Sequence, residues 1–269
     1  MSSLPSLFFI DTCPMLFGRR LDADTLQRMR RDGVIVLSAH LDDACFSIGG
    51  LSAEIGGGTL INVFNRSCYL ARRPDGLNGA LPEDVVASYR NAEDEAFALQ
   101  SGVQRESLNG CEPGFFGRRP NDLSGLELDM EQVRLPLMNS LQRQVRSDGG
   151  RPYLLVPMAV GRHVNHHAVY EVIVGAAPQL KSNFRLCFYE DLPYSHDPFE
   201  RLRGIRRFQK NLCSSDWSRH FFVLPAQAKL KLVELYGTQL KRKPSLLKFR
   251  PASLWPVAMH EALWMAPYE

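Results

Sequence analysis

Residues 34–50, VIVLSAHLDDACFSIGG, hold the clearest structural pattern in this chain. The opening segment VIVLSA follows the turn signal Arg31-Asp32-Gly33 and is almost entirely apolar, which predicts a strand buried on both faces of a parallel sheet. The residues that follow predict a helix over 42–55, which ends at three consecutive glycines, Gly56-Gly57-Gly58. A buried strand followed at once by a helix is typical of an α/β fold.

The same alternation continues along the chain. Further strands are predicted over 59–65, 103–108, 153–158 and 184–190, and further helices over 83–100, 126–146 and 164–177. Because crossovers between parallel strands are right-handed, this order predicts a Rossmann-like three-layer sandwich with a mostly parallel sheet. We expect a single domain over residues 1–269 that is mostly helical and irregular after about 195, with loops over 66–82 and 109–125.

Composition excludes several classes of protein. The chain has 269 residues, of which 45% are hydrophobic and 23% charged, as in ordinary globular enzymes. A net charge of +3 is too balanced for a nucleic-acid-binding protein. There is no apolar run of membrane-spanning length, and no basic residue precedes the apolar patch near the N-terminus, so we expect a cytoplasmic protein without a membrane span. The six cysteines include no CxxC pair, which favours buried thiols over disulfides or a thiolate zinc site.

Two polar clusters stand directly after predicted strands. Ser38–Asp43 follows the first of them, and Gly161–His167 follows the strand over 153–158; together they hold four of the seven histidines. Ligands of open α/β sheets bind beyond the carboxyl ends of the strands, where both clusters would meet. Imidazole and carboxylate side chains are typical zinc ligands, and a catalytic zinc site has three protein ligands. The sequence therefore predicts one metal site at this edge.

Each cluster also has a simpler interpretation. An aspartate at a strand-to-helix junction, such as Asp42 or Asp43, is a common helix N-cap, and Asn165 could cap the later helix in the same way. A histidine at a strand end is often only a hydrogen-bonded polar residue. Two such clusters at equivalent strand ends favour the metal site, because adjacent buried aspartates need a compensating positive charge.

The two clusters resemble the motifs of one enzyme family. VIVLSAHLDDACFSIGG is similar to the AHPDDE segment of the PIG-L/LmbE-type zinc-dependent N-acetylglucosamine deacetylases, and GRHVNHHAV (161–169) is similar to their HPDHxAV motif. Weaker similarities lie in the segment after Arg90, in FYEDLPY (188–194) and in EALW (261–264). The resemblance spans roughly residues 33–265.

The resemblance implies a role for six residues. His40, Asp43 and His166 match the three ligands of one zinc ion, Asp42 matches the general base, and His163 matches the residue that stabilises the oxyanion or helps to protonate the leaving amine. Arg90 matches an arginine that contacts the substrate. The implied reaction is the removal of an N-acetyl group from an amino sugar or its conjugate, through hydrolysis of a linear amide bond.

Some residues depart from the family pattern. Leu41 replaces the usual proline, Ala44 a glutamate, and Asn165 the aspartate of HPDH. If that aspartate orients His163, an amide does so less well. A catalytically weak or inactive member that binds a sugar or metabolite is therefore the alternative, and a hydrolase of longer N-acyl groups is a third hypothesis. The sequence leaves the exact substrate and the oligomeric state open.

Overall fold

A computed structural model describes residues 18–74, 79, 81–212, 217–241, 245–253 and 258–266. Its eight strands and seven helices are, in chain order, β1 (Arg19–Arg20), α1 (Ala23–Asp32), β2 (Val34–Ser38), α2 (Asp43–Ile55), β3 (Thr59–Asn62), α3 (Glu83–Ser101), β4 (Gln104–Ser107), α4 (Leu126–Arg143), β5 (Tyr153–Pro157), α5 (Val164–Leu180), β6 (Arg185–Tyr189), α6 (Pro198–Leu212), β7 (Ser218–Val223), α7 (Ala226–Glu234) and β8 (His260–Met265). Short 3₁₀ turns lie between several of them.

All eight strands form one sheet in the order β1-β7-β8-β6-β5-β2-β3-β4. The five strands from β6 to β4 run parallel, in register pairs such as Val36 with Leu155. β8 is antiparallel to both β6 and β7. The predicted α/β sandwich with a mostly parallel sheet is thus confirmed.

The core consists of two apolar layers, one on each face of the sheet. Alternate residues of β2 divide between them, with Ile35 and Leu37 in one layer and Val34 and Val36 in the other. All five residues of β2 and of β5 are buried, as expected of central parallel strands. The two strands whose ends carry the polar clusters therefore lie side by side at the centre of the sheet.

Among the described residues, the region after residue 195 is mostly helical and irregular, but it also holds two strands that were not predicted. Besides the helices α6 and α7, this region contains β7 and the fully buried β8. β8 begins with two polar residues, His260 and Glu261, which interrupt the apolar pattern that predicts a strand. Both side chains have partners on distant elements, Arg219 and Lys229 respectively, so their burial depends on contacts that local sequence does not reveal. Residues 242–244 and 254–257, with two of the three prolines that predicted irregular structure, lie outside the described residues.

No helix within the described ranges is both long and apolar enough to cross a membrane. The four described cysteines, Cys45, Cys68, Cys111 and Cys187, are free thiols, while Cys13 and Cys213 lie outside the described part of the chain.

Candidate metal centre and active site

The two polar clusters meet at the carboxyl edge of the sheet. β2 ends at Ser38, two residues before His40, and the neighbouring parallel strand β5 ends at Pro157, before the loop that leads to His163. Asp43 begins α2, while Val164 begins α5 just ahead of His166. The topology rule for ligand sites in α/β sheets therefore places both clusters at the same edge.

The Asp43 carboxylate joins two of the histidines. Its Oδ2 lies 3.0 Å from His40 Nδ1 and 3.1 Å from His166 Nε2. All three residues are at most 5% exposed. Ligand atoms at about 2.0–2.1 Å from a tetrahedral zinc ion are about 3.3 Å apart, so these spacings fit a shared cation.

One ring nitrogen supports the metal interpretation directly. His166 Nε2 is buried and has no hydrogen-bond partner among the described residues, although it lies beside the Asp43 carboxylate. A buried polar atom without a partner is costly unless something unseen satisfies it. A metal ion bound to Nε2 in place of the ring proton would satisfy this nitrogen, which makes the residues present a suitable set for a divalent cation.

His163 is the third histidine of the cluster. The ligand atoms of His40, His163 and His166 all lie within 4.8 Å of one another, and the rings of His40 and His163 meet edge to face with centroids 4.3 Å apart. His163 is also the N-cap of α5, because its Nδ1 accepts the Asn165 N–H at 3.4 Å. The capping role that the sequence allowed for Asn165 thus belongs to His163.

The charges of the cluster are strongly coupled. Burial disfavours an imidazolium at His166, but the Asp43 and Asp191 carboxylates outweigh it and raise the pKa of His166 to about 10. Burial likewise opposes ionisation of Asp43, yet His166 and His40 hold its pKa well below the usual range. For His163, burial and the neighbouring imidazoles act together and lower the pKa well below the usual value. His163 is therefore a neutral imidazole near pH 7.

Asp42 stands beside this cluster with a different set of contacts. Although it is the N-cap of α2, its side chain makes no capping hydrogen bond; its Oδ1 instead accepts from Arg90 Nη2 at 3.0 Å. Burial raises the pKa of Asp42, and the Arg90 charge opposes part of that rise. A carboxylate with a raised pKa is better suited to accept a proton.

Arg90 is buried against Asp42 and is not exposed to solvent. It is 4% exposed, and its second terminal nitrogen, Nη1, donates to Glu112 Oε1 at 2.6 Å. The other Glu112 oxygen accepts from Ser67 Oγ at 2.7 Å. These contacts assign both terminal nitrogens of Arg90 to carboxylates of this chain, so the arginine is placed to position Asp42. Glu112, from the loop over 109–125, is part of this network.

Asp191 is a site residue for which sequence analysis assigned no role. Its Oδ1 lies 2.7 Å from His166 Nδ1, and its Oδ2 accepts the Val160 N–H at 2.8 Å. A carboxylate behind a metal-binding histidine fixes the ring orientation and the tautomer. The signal was present in the FYEDLPY segment, but nothing in the sequence tied that segment to His166.

Ala44 and Asn165 replace a glutamate and an aspartate of the family motifs, and the structure shows the surroundings of both. Ala44 is fully buried in the core cluster that includes α2. The Asn165 side chain does not face the His163 ring; its Oδ1 lies 3.0 Å from His40 Nε2, and its Nδ2 donates to Asp129 Oδ2 at 3.2 Å. The idea that an acid at 165 would orient His163 therefore does not fit this geometry.

Cys45 and His167, which lie next to the two clusters in the sequence, have other partners in the structure. Cys45 is buried, and its Sγ donates to the Leu232 carbonyl at 3.3 Å. His167 Nε2 lies 3.2 Å from the Gly161 carbonyl and has Arg207 as its neighbour. These contacts account for both side chains without a ligand role.

Comparison with known proteins finds a curated relative for part of the chain. No family model matches the chain. A curated protein, the 2'-N-acetylparomamine deacetylase of Streptomyces fradiae, is 30% identical over 178 residues. The match covers 65% of this chain and 62% of that protein, so the chain spans somewhat less than two thirds of the relative's length.

Solved structures share the fold. The A40926 pseudoaglycone deacetylase Dbv21 superposes with a TM-score of 0.57 at 20% identity, covering 89% of this chain and all of that one. The zinc-inhibited form of the teicoplanin deacetylase Orf2 gives a TM-score of 0.54 at 18% identity over 86% of this chain and 96% of that one. The names of these proteins agree with the deacetylase resemblance of the two motifs.

Proposed function

We propose that this protein is a metal-dependent N-deacetylase of the PIG-L/LmbE type, which hydrolyses the acetamide of an amino sugar or amino-sugar conjugate. The observation that carries the proposal is the buried triangle of His40, Asp43 and His166 with the Asp42 carboxylate beside it. These three residues would hold one divalent ion, for which we propose zinc. The domain would comprise residues 1–269 as one unit.

A zinc ion held there would polarise the amide carbonyl and lower the pKa of a water molecule from 15.7 to about 7. Asp42 would act as the general base, taking a proton from the attacking water as the water oxygen bonds to the carbonyl carbon. When the C–N bond breaks, the same carboxyl returns the proton to the amine nitrogen, so that acetate and a free amine leave. Arg90 and Glu112 hold the Asp42 carboxylate in the position that both transfers require.

His163 supports the same reaction as a neutral donor. Because its Nδ1 accepts the Asn165 backbone N–H, the ring proton is on Nε2. An Nε2–H group beside the metal-binding residues donates to the carbonyl oxygen as negative charge develops on it. One such donor contributes roughly 3 kcal/mol to transition-state stabilisation. Because Nε2 carries this proton and Nδ1 accepts a hydrogen bond, neither ring nitrogen of His163 offers a lone pair to a metal ion. We therefore assign His163 as a hydrogen-bond donor and not as a fourth metal ligand.

An amino sugar is the substrate class that the relatives favour. The Streptomyces relative is named for 2'-N-acetylparomamine, and the structural neighbours are named for the A40926 pseudoaglycone and for teicoplanin. The loop over 109–125 lies beside the site, since Glu112 accepts a hydrogen bond from Arg90. This loop is the part of the site through which we expect the sugar to be selected.

The test combines metal analysis with product detection. Protein purified without chelator is assayed for zinc, and acetate release is followed on a panel of N-acetyl amino sugars that includes acetylated aminocyclitol glycosides. Because one neighbour is described in a zinc-inhibited form, the assays cover zinc from less than one equivalent to excess. We expect about one tightly bound equivalent and acetate release from at least one member of the panel.

His166→Ala tests the same proposal, and His196→Ala is the matched control, since His196 is exposed. We expect His166→Ala to lose zinc and activity, while His196→Ala retains both. Retention of zinc and activity by His166→Ala would refute the proposed ligand set. Stoichiometric zinc without acetate release from any substrate would instead favour the alternative, a catalytically inactive sugar-binding member.

A further inference from the structure

We propose that Asn165, Asp129 and Arg118 form a hydrogen-bonded chain that fixes the tautomer of His40 and so leaves its Nδ1 free for the metal. This inference rests on the proposed function, because it needs the metal site formed by His40, Asp43 and His166. It goes beyond that function by assigning three positioning residues, two of which lie outside both sequence motifs.

The chain runs outward from the metal site to the surface loop. His40 Nε2 lies 3.0 Å from Asn165 Oδ1, and Asn165 Nδ2 donates to Asp129 Oδ2 at 3.2 Å. Arg118 then donates to both oxygens of Asp129, with its Nη1 at 3.4 Å from Oδ2. Asn165 and Asp129 are completely buried, so these polar groups depend on one another for hydrogen bonds.

The Arg118 guanidinium, at the outer end of the hydrogen-bonded chain, determines which group donates and which accepts in each hydrogen bond. Arg118 only donates, and it donates to both carboxyl oxygens of Asp129, so Asp129 is an acceptor at both oxygens. Asn165 must therefore turn its NH₂ group toward Asp129 and its carbonyl oxygen toward His40. A carbonyl oxygen only accepts, so His40 Nε2 must carry a proton. The lone pair of the neutral ring is then on Nδ1, the nitrogen that faces Asp43.

Residues of the loop over 109–125 hold the Arg118 guanidinium against Asp129. A Cβ atom on Gly125 would overlap the Arg118 guanidinium, so the glycine leaves the space that the arginine fills. The guanidinium also lies 5.5 Å from the centre of the Phe116 ring. The loop is joined to the start of α5 by the Val164 N–H, which donates to the Pro120 carbonyl at 2.8 Å.

This arrangement gives a physical reason for the amide at position 165. An aspartate there would face Asp129 at about the 3.2 Å that now separates the amide nitrogen from the carboxylate. Two buried carboxylates at that distance cannot both be ionised without a strong penalty. In the hydrogen-bonded chain, Asp129 supplies the carboxylate. Asn165 donates to this carboxylate through its NH₂ group and accepts from His40 through its oxygen.

Asp129→Asn and its reciprocal exchange test the proposal. In Asp129→Asn, the Arg118 guanidinium holds the oxygen of the new amide, whose NH₂ then faces Asn165. Asn165 has to present its oxygen outward and its NH₂ to His40, which moves the ring proton to Nδ1. We expect the affinity for Zn²⁺, measured by competition with a chromophoric chelator, to fall about 10- to 100-fold.

The double variant Asn165→Asp/Asp129→Asn restores the original direction of the hydrogen bond from His40. A carboxylate at position 165 accepts both from His40 Nε2 and from the new amide at position 129. We expect its Zn²⁺ affinity to return to within a few fold of the original value. Asp122→Asn is the control in the same loop, since Asp122 caps a 3₁₀ turn at the surface and an asparagine caps equally well. Full affinity in Asp129→Asn, or failure of the exchange to restore it, would overturn the proposal.

Ring ¹⁵N chemical shifts of His40 in the unaltered protein give a second readout that does not depend on the folding of any variant. With Zn²⁺ bound, we expect a proton on Nε2 and metal on Nδ1, and the opposite assignment would overturn the proposal. Failure of the proposed function is distinguishable, because it is read in the unaltered protein as absence of Zn²⁺ binding or of acetate release, whereas this proposal is read in the Zn²⁺ affinities of the variants and in the His40 ring assignment.

Discussion

Asp42 and Asp43 are adjacent in the chain but have opposite electrostatic surroundings. Asp43 lies between two imidazoles, which stabilise its ionised form, whereas burial raises the pKa of Asp42 against the charge of Arg90. One carboxylate is thereby suited to hold a cation and the other to accept a proton. Because the two roles are separate, they can be tested by separate substitutions.

Asp42→Asn should retain the metal and lose turnover. The asparagine keeps an oxygen for Arg90 but has no carboxylate to take a proton, so we expect kcat to fall by about 10²- to 10⁴-fold. Zinc content is measured beside kcat. Asp148→Asn, at an exposed ion pair with Arg146, is the matched control and should behave as the unaltered enzyme. A near-normal kcat in Asp42→Asn would remove this residue from the proton transfers.

His163→Gln should also retain the metal while kcat falls. The glutamine side chain can still accept a hydrogen bond, but it does not place a donor where the imidazole Nε2–H stands, and the loss of one oxyanion donor costs about 10²- to 10³-fold in kcat. A steady-state comparison of kcat and KM on the best substrate measures this effect. If zinc is lost together with activity, His163 is a ligand, as its place in the histidine cluster would allow.

At the scale of elements, α2 carries both aspartates at its start and is irregular at its centre. Ile48 has φ −138°, outside the helical range. The backbone groups around this point have side-chain partners: Glu261 accepts the N–H groups of Gly50 and Leu51 at 2.9 and 2.8 Å, and Lys229 Nζ donates to the Phe46 carbonyl at 2.6 Å. Lys229 and Glu261, which are completely buried, also pair with each other at 2.6 Å.

Glu261→Gln should strongly destabilise the protein. The glutamine leaves the Lys229 ammonium buried without a counter-charge, and breaking a buried ion pair in this way costs about 3–5 kcal/mol. Urea unfolding measures the change in the free energy of unfolding, and a loss below about 1 kcal/mol would contradict the expectation. Glu54→Gln, on α2 and in a solvent-exposed pair with Arg30, is the control and should cost at most about 1 kcal/mol.

For the whole molecule, acid should weaken the fold through buried neutral histidines. Burial lowers the pKa of His260 to about 4, with Arg219 also opposing a charged ring, although a hydrogen bond to the Ala258 carbonyl acts the other way. The unfolded chain, with an ordinary value near 6.5, takes up its proton first as the pH falls. The stability that His260 contributes is present above pH 6.5 and is lost from there toward pH 4.

His260→Gln should flatten this pH dependence. Each proton bound only by the unfolded chain changes the free energy of unfolding by about 1.4 kcal/mol per pH unit. Between pH 6.5 and 4 we therefore expect a slope smaller by up to that amount in His260→Gln, measured by urea unfolding at several pH values. His196→Gln, at an exposed histidine, should leave the slope unchanged. Parallel curves for His260→Gln and the original protein would contradict the expectation.

Local chemistry alone predicts the central part of this molecule. The apolar runs of β2 and β5 indicate buried parallel strands, and the rule that ligands lie beyond strand ends then brings His40, Asp43 and His166 to one edge. Both patterns extend over a few consecutive residues, so they are visible in the sequence. The helix over 83–101 and the weak strand β4 were predictable within a few residues for the same reason.

The contacts of the supporting residues became visible only in the folded chain, because each contact joins residues that are far apart in sequence. Asp191 reaches His166, Asp129 reaches Asn165, and Arg90 reaches Asp42 from other elements. The strands β7 and β8 were missed for a related reason, since His260 and Glu261 look like surface residues until Arg219 and Lys229 are brought against them. A buried charge is compatible with a strand only when tertiary packing supplies its partner, and no local pattern records that partner.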